Sequence, residues 1–580
     1  MIGRPQLTHR SSKVLGTVPV LLVCVLTLGC QPAATPGSAG AAQPNAVQGP
    51  KSLVVAVDGD IGPFVLPFSV RAGSAVGELD LAVHQWLLAY DEHGTAQPML
   101  AIEFPSRDKG TWVVRPDGSM QTIYRLRPGV TWHDGVPMTA QDFVFGWRVL
   151  KDPDIPTSKS LINLTSAMSA VDDQTIDIEW KASYTGAGTL AQSDFVPMPR
   201  HLIEAAYLGD KEQFQRMSYW TQDFVGVGPY QVAEYSAGSH VVLHAYPSFY
   251  KGRAKLDRIE VRFITGSDNI VANLLAGAID GSLPGVVDFD GARTVQKAWE
   301  GAGKHPLIIM EPESWRHVFI QFRDPAVREI LDVRVRRALL QAIDREAISA
   351  ALTDGISPVS QAPFPPSDPR WDALGGDVVV PYPYDPRQAE QLLAEAGWKR
   401  AGDGSLTRAG GGPVTLPLWA VADFETTKTI AIIGDYWARL GAQVEQTAVP
   451  QAQYRDLQYR ASFPAFLYAG ISMENQNVLN RVDPRLCPTP ESRWTGTSLG
   501  CYSNPQAQRL IEGISGAFDP TEQRRLWRDF IRLLTDDLPV LPMYFRLSTT
   551  IFREGVTGVM GQTVPQTRGT WNVADWDILP

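Results

Sequence analysis

An α/β fold with mixed sheets is the class that this 580-residue chain predicts. Three observations carry that reading. Helix-like and strand-like segments alternate along the whole body. Several helical patterns stop at a glycine (Gly355, Gly397, Gly441), and the last leads directly into a strand. The strand candidates are short apolar or alternating runs bounded by turn residues.

The first residues stand outside that fold. Arg4, Arg10 and Lys13 precede an apolar run from Val14 to Leu28, which closes on Gly29-Cys30. The run falls short of the ~20 apolar residues of a spanning helix, so residues 1–29 read as a signal peptide. Cys30 is the expected lipidated first residue of the mature chain. Residues 31–50, "QPAATPGSAGAAQPNAVQGP", carry no charge and cannot bury enough apolar surface to order themselves, which predicts a flexible tether.

In the body, "SLVVAV" (Ser52 to Val57) reads as a buried strand. "LDLAVHQWLLAYDEHGTAQPMLA" predicts a helix through Leu88 and a turn at His93-Gly94. "QTIYRLRPGVTW" alternates as a half-buried strand. Thr139 and Asp142 then stand in capping-box spacing before a helix carrying Phe143, Val144 and Trp147 inward. His133 and Asp134 look reactive together, but neighbours on an extended chain point to opposite faces. "HVVLHAYPSFY" and "LDRIEVRFI" are two further strands. "VRRALLQAIDREAISAAL" has helical spacing, and "YDPRQAEQLLAEAGW" is a helix capped by Asp385 with Pro386 in its first turn. "TIAIIGDYWARLGAQVEQTAV" is a helix followed by a strand.

Composition narrows the function. A net charge of −10, without any basic patch interleaved with aromatics, excludes a nucleic-acid partner. G-x-S-x-G occurs once in the body, at Gly496 to Gly500, but between two cysteines rather than between a strand and a helix, and H-E-x-x-H, P-loop and dinucleotide fingerprint are absent, so no enzyme is indicated. Apart from His240 and His244, which stand four apart in a strand-like run, the histidines stand singly, and no metal and no cofactor are expected. Cys487 and Cys501 are a candidate disulfide in an oxidising compartment, provided their backbones come close enough.

Several segments in order resemble the extracytoplasmic solute-binding proteins of ABC importers, family 5, the class of oligopeptide and dipeptide receptors. They are "VHQWLLAYDEHGTAQPMLA", "YRLRPGVTWHDGVPMTAQDF", "GVGPYQVAEY", "VRVRRALLQAIDREAI", "YDPRQAEQLLAEAGW", "WARLGAQVE" and "YSNPQAQRLI". The resemblance implies a two-lobed fold of the periplasmic-binding-protein type, large class, with a ligand cleft between lobes. Lobe I is expected from 51–78, 186–314 and 541–580, with an inserted subdomain at 79–185, and lobe II from 315–540. Crossing strands are expected near His317 to Phe322 and Leu538 to Phe545.

The implied function is capture of peptides or peptide-like solutes by closing lobes, with delivery to a permease and its ATPase. Strand addition by the ligand supplies affinity with little sequence selectivity. The chain is expected to be monomeric, extracytoplasmic and held to a membrane by its lipid. A non-peptide solute (a saccharide, an opine-like compound or a metal chelate) and a peptide-sensing surface lipoprotein are the alternatives.

Three departures from the family pattern bear on the ligand. Ile471 falls where an Asp usually receives the peptide's amino group, and Glu474, three positions on, is either the substitute acid or a solvated loop residue. His84, Gln85 and Trp86 replace an expected Glu-Gly pattern, and Val65 to Phe68 lacks an Asp before its proline. The candidate ligand-binding residues are therefore His84, Gln85, Trp86, Gly228, Tyr468, Gly470, Ile471, Glu474 and Trp494.

Overall fold

The computed structural model describes residues 49–64, 74–156, 160–191, 194–408, 410–562, 564 and 567–579. The leader, Cys30, most of the tether and Val65 to Phe68 lie outside the described residues. Ten strands form the main sheet: β1 (Ser52–Val57), β2 (Tyr230–Ser236), β3 (His240–Ala245), β4 (Arg258–Phe263), β5 (Gly281–Ser282), β6 (Leu307–Ile320), β7 (Thr415–Val421), β8 (Gln443–Val449), β9 (Phe466–Ser472) and β10 (Val540–Phe552). Their order is β8-β7-β9-β6-β10-β5-β1-β4-β3-β2. β1 runs parallel to β4 and β5, and β7 parallel to β8 and β9. The remaining pairs, β6 with β9 and β10 among them, are antiparallel. The sheet is mixed, as the alternation of segments predicts.

Core packing divides this sheet into two lobes. On the first, Leu53, Val55, Val57, Leu243 and Phe552 face one core, while Ala56, Ile270 and Ile551 face another on the opposite side. On the second, Val318, Leu418, Trp437 and Tyr544 pack on one face, and Trp315, Leu467, Phe530 and Phe545 on the other. Among the ten strands, β6 and β10 contribute to cores of both lobes. β6 passes from Met310, packed in the first, to Trp315 in the second, and its pairing with β10 slips at Pro312/Ser314 and Trp315/His317. The passage lies a few residues before His317 on β6, and beyond Phe545 on β10. Their length, 14 and 13 residues, carries both strands across the two lobes, and the alternating pleat lets each feed both faces of the sheet.

A separate four-stranded antiparallel sheet runs in the order Trp112–Val114, Met120–Arg125, Thr175–Trp180, Thr165–Asp172. Beside it, Thr139 N–H donates to Asp142 Oδ2 at 2.8 Å and starts the helix Ala140–Lys151, as the spacing predicts.

Two helices differ from the sequence reading. The helix expected through Leu88 spans Ser74–Val83, and the chain continues into the strand Leu88–Tyr90. The carbonyl of Val83 accepts the N–H of Gly228 at 3.1 Å. A Cβ on Gly228 would lie 2.4 Å from the Val83 carbonyl carbon, so the "GVGPY" segment seals this helix end by backbone approach. The segment after Val333 is two helices, Val333–Gln341 and Arg345–Thr353. Asp344 caps the second by accepting from Ala347 N–H at 2.9 Å.

Candidate functional site

The site begins where one strand stops and its neighbour does not. β7 pairs with β9 from Leu418↔Phe466 to Ala420↔Tyr468, then ends at Val421. There the chain turns into the helix Phe424–Arg439, capped by the Asp423 carboxylate on Thr426 N–H at 2.8 Å. β9 continues to Ser472. Its residues Ala469–Ser472 pair with β6 on one side, while among the described residues no strand pairs with them on the side β7 has left. An unpaired strand edge is a row of backbone donors and acceptors awaiting a partner.

A cavity of about 330 Å³ lies between the lobes, with Glu425, from the helix that follows β7, in its wall. Asp288 and Asp290 border it from the first lobe, Thr353, Asp423 and Glu425 from the second, and Tyr544 and Arg546 from β10.

Glu425 organises the wall. Its carboxylate meets Arg316 Nη2 of β6 at 3.0 Å and Arg546 Nε of β10 at 3.5 Å, and it accepts the Tyr544 hydroxyl at 2.7 Å. The Tyr468 hydroxyl donates to Tyr544 at 2.8 Å. Burial opposes ionisation of Glu425, yet the charges of Arg316 and Arg546 and the Tyr544 hydrogen bond outweigh it and hold the carboxyl below its usual range. Arg316 is buried too, and Glu425 beside it keeps it firmly charged despite that burial. Gly470 makes room for this pair: a Cβ there would lie 2.3 Å from Arg316 Nη1 and push the guanidinium off Glu425. One carboxylate thus ties both crossing strands to the second lobe.

At the far end of the open edge, Glu474 stands just before the short helix Asn475–Asn480 and its carboxylate accepts from Asn477 Nδ2 at 3.2 Å. It faces the first lobe, where its charge reaches Tyr90 and Asp194. Asp194 accepts Ala191 N–H at 2.7 Å. Burial, with Glu474 adding to it, pushes its carboxyl up to about 7.

The other expected site residues lie elsewhere. His84, Gln85 and Trp86 are buried in the first-lobe core: His84 Nε2 is 3.2 Å from the Pro197 carbonyl, and its ring packs on Trp86, Trp132 and Phe224. Gln85 donates to the Leu81 carbonyl. Gly228 serves the helix end described above. Ile471 points into the second-lobe core with Trp315 and Met473, because its neighbours in the alternation, Gly470 and Ser472, take the opposite face. Trp494, in the left-handed backbone region, carries the Arg323 guanidinium 5.4 Å from its ring centre. Its loop is closed by the Cys487–Cys501 disulfide, with Cα atoms 4.8 Å apart. Among the described residues, no group of three His, Cys, Asp or Glu is placed to hold a metal ion.

Arg316, Glu425, Arg546 and Asp194 were not singled out from sequence. For Arg316 a signal existed: an arginine inside the apolar run "SWRHVFIQF" must find a partner if that run is buried.

The signature of bacterial extracellular solute-binding proteins, family 5, matches residues 105–482. The chain belongs to that family. This solute-binding protein is 24% identical over 453 residues to heme-binding protein A of Haemophilus influenzae, covering 75% of this chain and 77% of that protein. It is 25% identical over 475 residues to the oligopeptide-binding protein AppA of Bacillus subtilis, covering 79% and 81%. The solved structure of NikA from Brucella suis in complex with Fe(III)-EDTA superposes with a TM-score of 0.73 at 18% identity, covering 91% of this chain and all (100%) of that one. The fold is therefore the large-class periplasmic-binding-protein fold, and the chain is an extracytoplasmic binder of small solutes for an ABC transporter, not an enzyme.

Proposed function

We propose that this solute-binding protein captures peptides or peptide-like solutes between its lobes and hands them to a membrane permease. The observation that carries the reading is the open edge of β9 at Ala469–Ser472, whose Gly470 backs the Arg316 guanidinium that pairs with Glu425 in the cavity wall. An extended peptide laid along that edge adds a strand, which gives affinity through the main chain. Glu474, just past the edge, receives the free amino group in a charge-assisted hydrogen bond. Ligand binding then stabilises the closed form to the extent that it binds that form better than the open one.

Lipidation of Cys30 anchors the protein outside the cytoplasmic membrane, and it works as a monomer. Replacing Cys30 by alanine is expected to move the protein from the membrane fraction to the soluble fraction. Titration calorimetry tests the ligand class: a free peptide should bind, its N-acetylated form should bind at least about tenfold more weakly, and Glu474→Gln should remove most of that difference. Equal affinity for both forms on the parent protein would remove Glu474 from the amino-group role. Failure of every peptide to bind would end the peptide reading.

A further inference from the structure

The chain enters its first lobe through a patch of positive charge. β1 begins at Ser52, and Lys51 just before it is held by two carboxylates. Its backbone N–H donates to Asp257 Oδ2 at 2.7 Å and its ammonium to Asp577 Oδ1 at 2.5 Å. Asp257 also pairs with Arg253. Both acids are thereby occupied within the fold.

Three more cations adjoin them. Lys255 Nζ lies 3.2 Å from the backbone carbonyl of Asp575, and its charge reaches Asp577. Lys251 donates to the Met99 sulfur at 3.0 Å. Arg127 donates from Nε to the Met99 carbonyl at 3.1 Å and lies 5.5 Å from the centre of the Tyr250 ring. Among the described residues, no carboxylate stands at ion-pair distance from any of the three. A carbonyl, a thioether and an aromatic face do not neutralise a charge. Partial burial and then the charge of Arg127 lower the Lys251 ammonium from its ordinary value, with Asp575 opposing them. Lys251, Arg253 and Lys255 are exposed.

The sequence sets this patch at the end of the tether. Residues 31–50 separate Lys51 from Cys30. A Gly-, Ala- and Pro-rich linker of that length has a root-mean-square span of roughly 25 Å. A lipid on Cys30 therefore keeps the patch close to a bilayer, where tethering multiplies a weak attraction. The chain carries a net charge of −10, so an anionic surface repels most of the body and attracts this face. We propose that Arg127, Lys251, Arg253 and Lys255, grouped where the tether joins the fold, rest on anionic phospholipid headgroups and set the orientation of the body above the membrane. This inference rests on the anchor reading of Cys30 and does not depend on the solute.

The test is amine acylation, read by mass spectrometry, on the lipidated protein reconstituted at low salt into two kinds of vesicle. One is phosphatidylcholine alone, and the other is enriched in phosphatidylglycerol. Acylation of Lys251 and Lys255 is expected to slow at least about fivefold on the anionic vesicles and to recover in about 1 M salt, which screens charges beyond about 3 Å. Lys399, exposed beside Trp398 of the second-lobe core, should react equally on both. Equal rates at Lys251 and Lys255 on the two kinds of vesicle overturn this inference and leave the anchor standing. Slowing that extends equally to Lys399, or that survives the salt, overturns it as well. A purified chain without lipid on Cys30 overturns the anchor reading and this inference together.

Discussion

Two clusters of polar residues show why chemical density in a sequence is a poor guide to a binding site. The first joins His84, Trp132, His133 and Asp142 in the first lobe. Every contact there closes the fold. His133 accepts Gly226 N–H at Nδ1 and lies 3.1 Å from the Gly228 carbonyl at Nε2, while Asp134 turns away to His201 Nε2 at 2.6 Å. The second cluster, Arg316, Glu425, Tyr544 and Arg546, is assembled from three distant segments and opens on a cavity. The first is visible as a run of residues; the second exists only because β6 and β10 cross between lobes where β7 stops. A polar cluster that satisfies itself inside a core supports the fold. One that lines a space between moving parts can meet a ligand.

The largest expected effect separates the clusters by stability. Trp86→Ala empties a fully buried indole site beside His84 and should cost about 3–5 kcal/mol in urea unfolding, while the folded fraction keeps its ligand affinity. A change of affinity with unchanged stability would move Trp86 from the core cluster to the site. Next, Glu425→Gln leaves the buried Arg316 without its counter-charge. Because Glu425 is partly exposed, a loss near the low end of the buried-pair range, about 3 kcal/mol, is expected, together with weaker binding.

The clusters should also differ in pH response. Burial holds His84 down to about 3, with His133 adding to it, and burial holds His133 down to about 4. In the unfolded chain both take up protons near 6.5. Stability from this cluster is therefore complete above pH 6.5 and is lost as pH falls toward 4, levelling off below the folded values. Unfolding titrations of the parent and His84→Gln between pH 7.5 and 4.5 should give the parent the steeper loss; parallel curves would contradict the account. Glu425, held below its ordinary value, contributes stability that is present above the usual carboxylate range and lost only as pH falls through its lowered value. The smallest effect is Tyr468→Phe, which removes one hydroxyl from the chain leading to Glu425 and should cost about 1 kcal/mol.

The fold was largely legible because it rests on local signals. The strand Ser52–Val57, the capping box at Thr139 and Asp142 and the helix begun by Asp385-Pro386 each follow from neighbours in sequence. The helix ending at Val83 was misread because the segment that terminates it, Gly226 to Gly228, lies over 140 residues away. The site was less legible for the same reason. Tyr468, Gly470 and Glu474 were found through a segment that keeps its order in the family. Tyr468 and Gly470 turn out to shape the wall from behind, through Tyr544 and Arg316. Glu425 and Asp194 gain their meaning only from the approach of the other lobe.

The central claim is that the exposed edge of β9 is the surface on which the solute docks. Hydrogen exchange of the backbone amides in Ala469–Ser472, measured with and without a saturating short peptide, tests it most directly. The account predicts that amides facing the open edge become strongly protected on binding, while those of Leu416 and Leu418 in β7 change little. Unchanged exchange along Ala469–Ser472 in a protein shown by calorimetry to be saturated would contradict it.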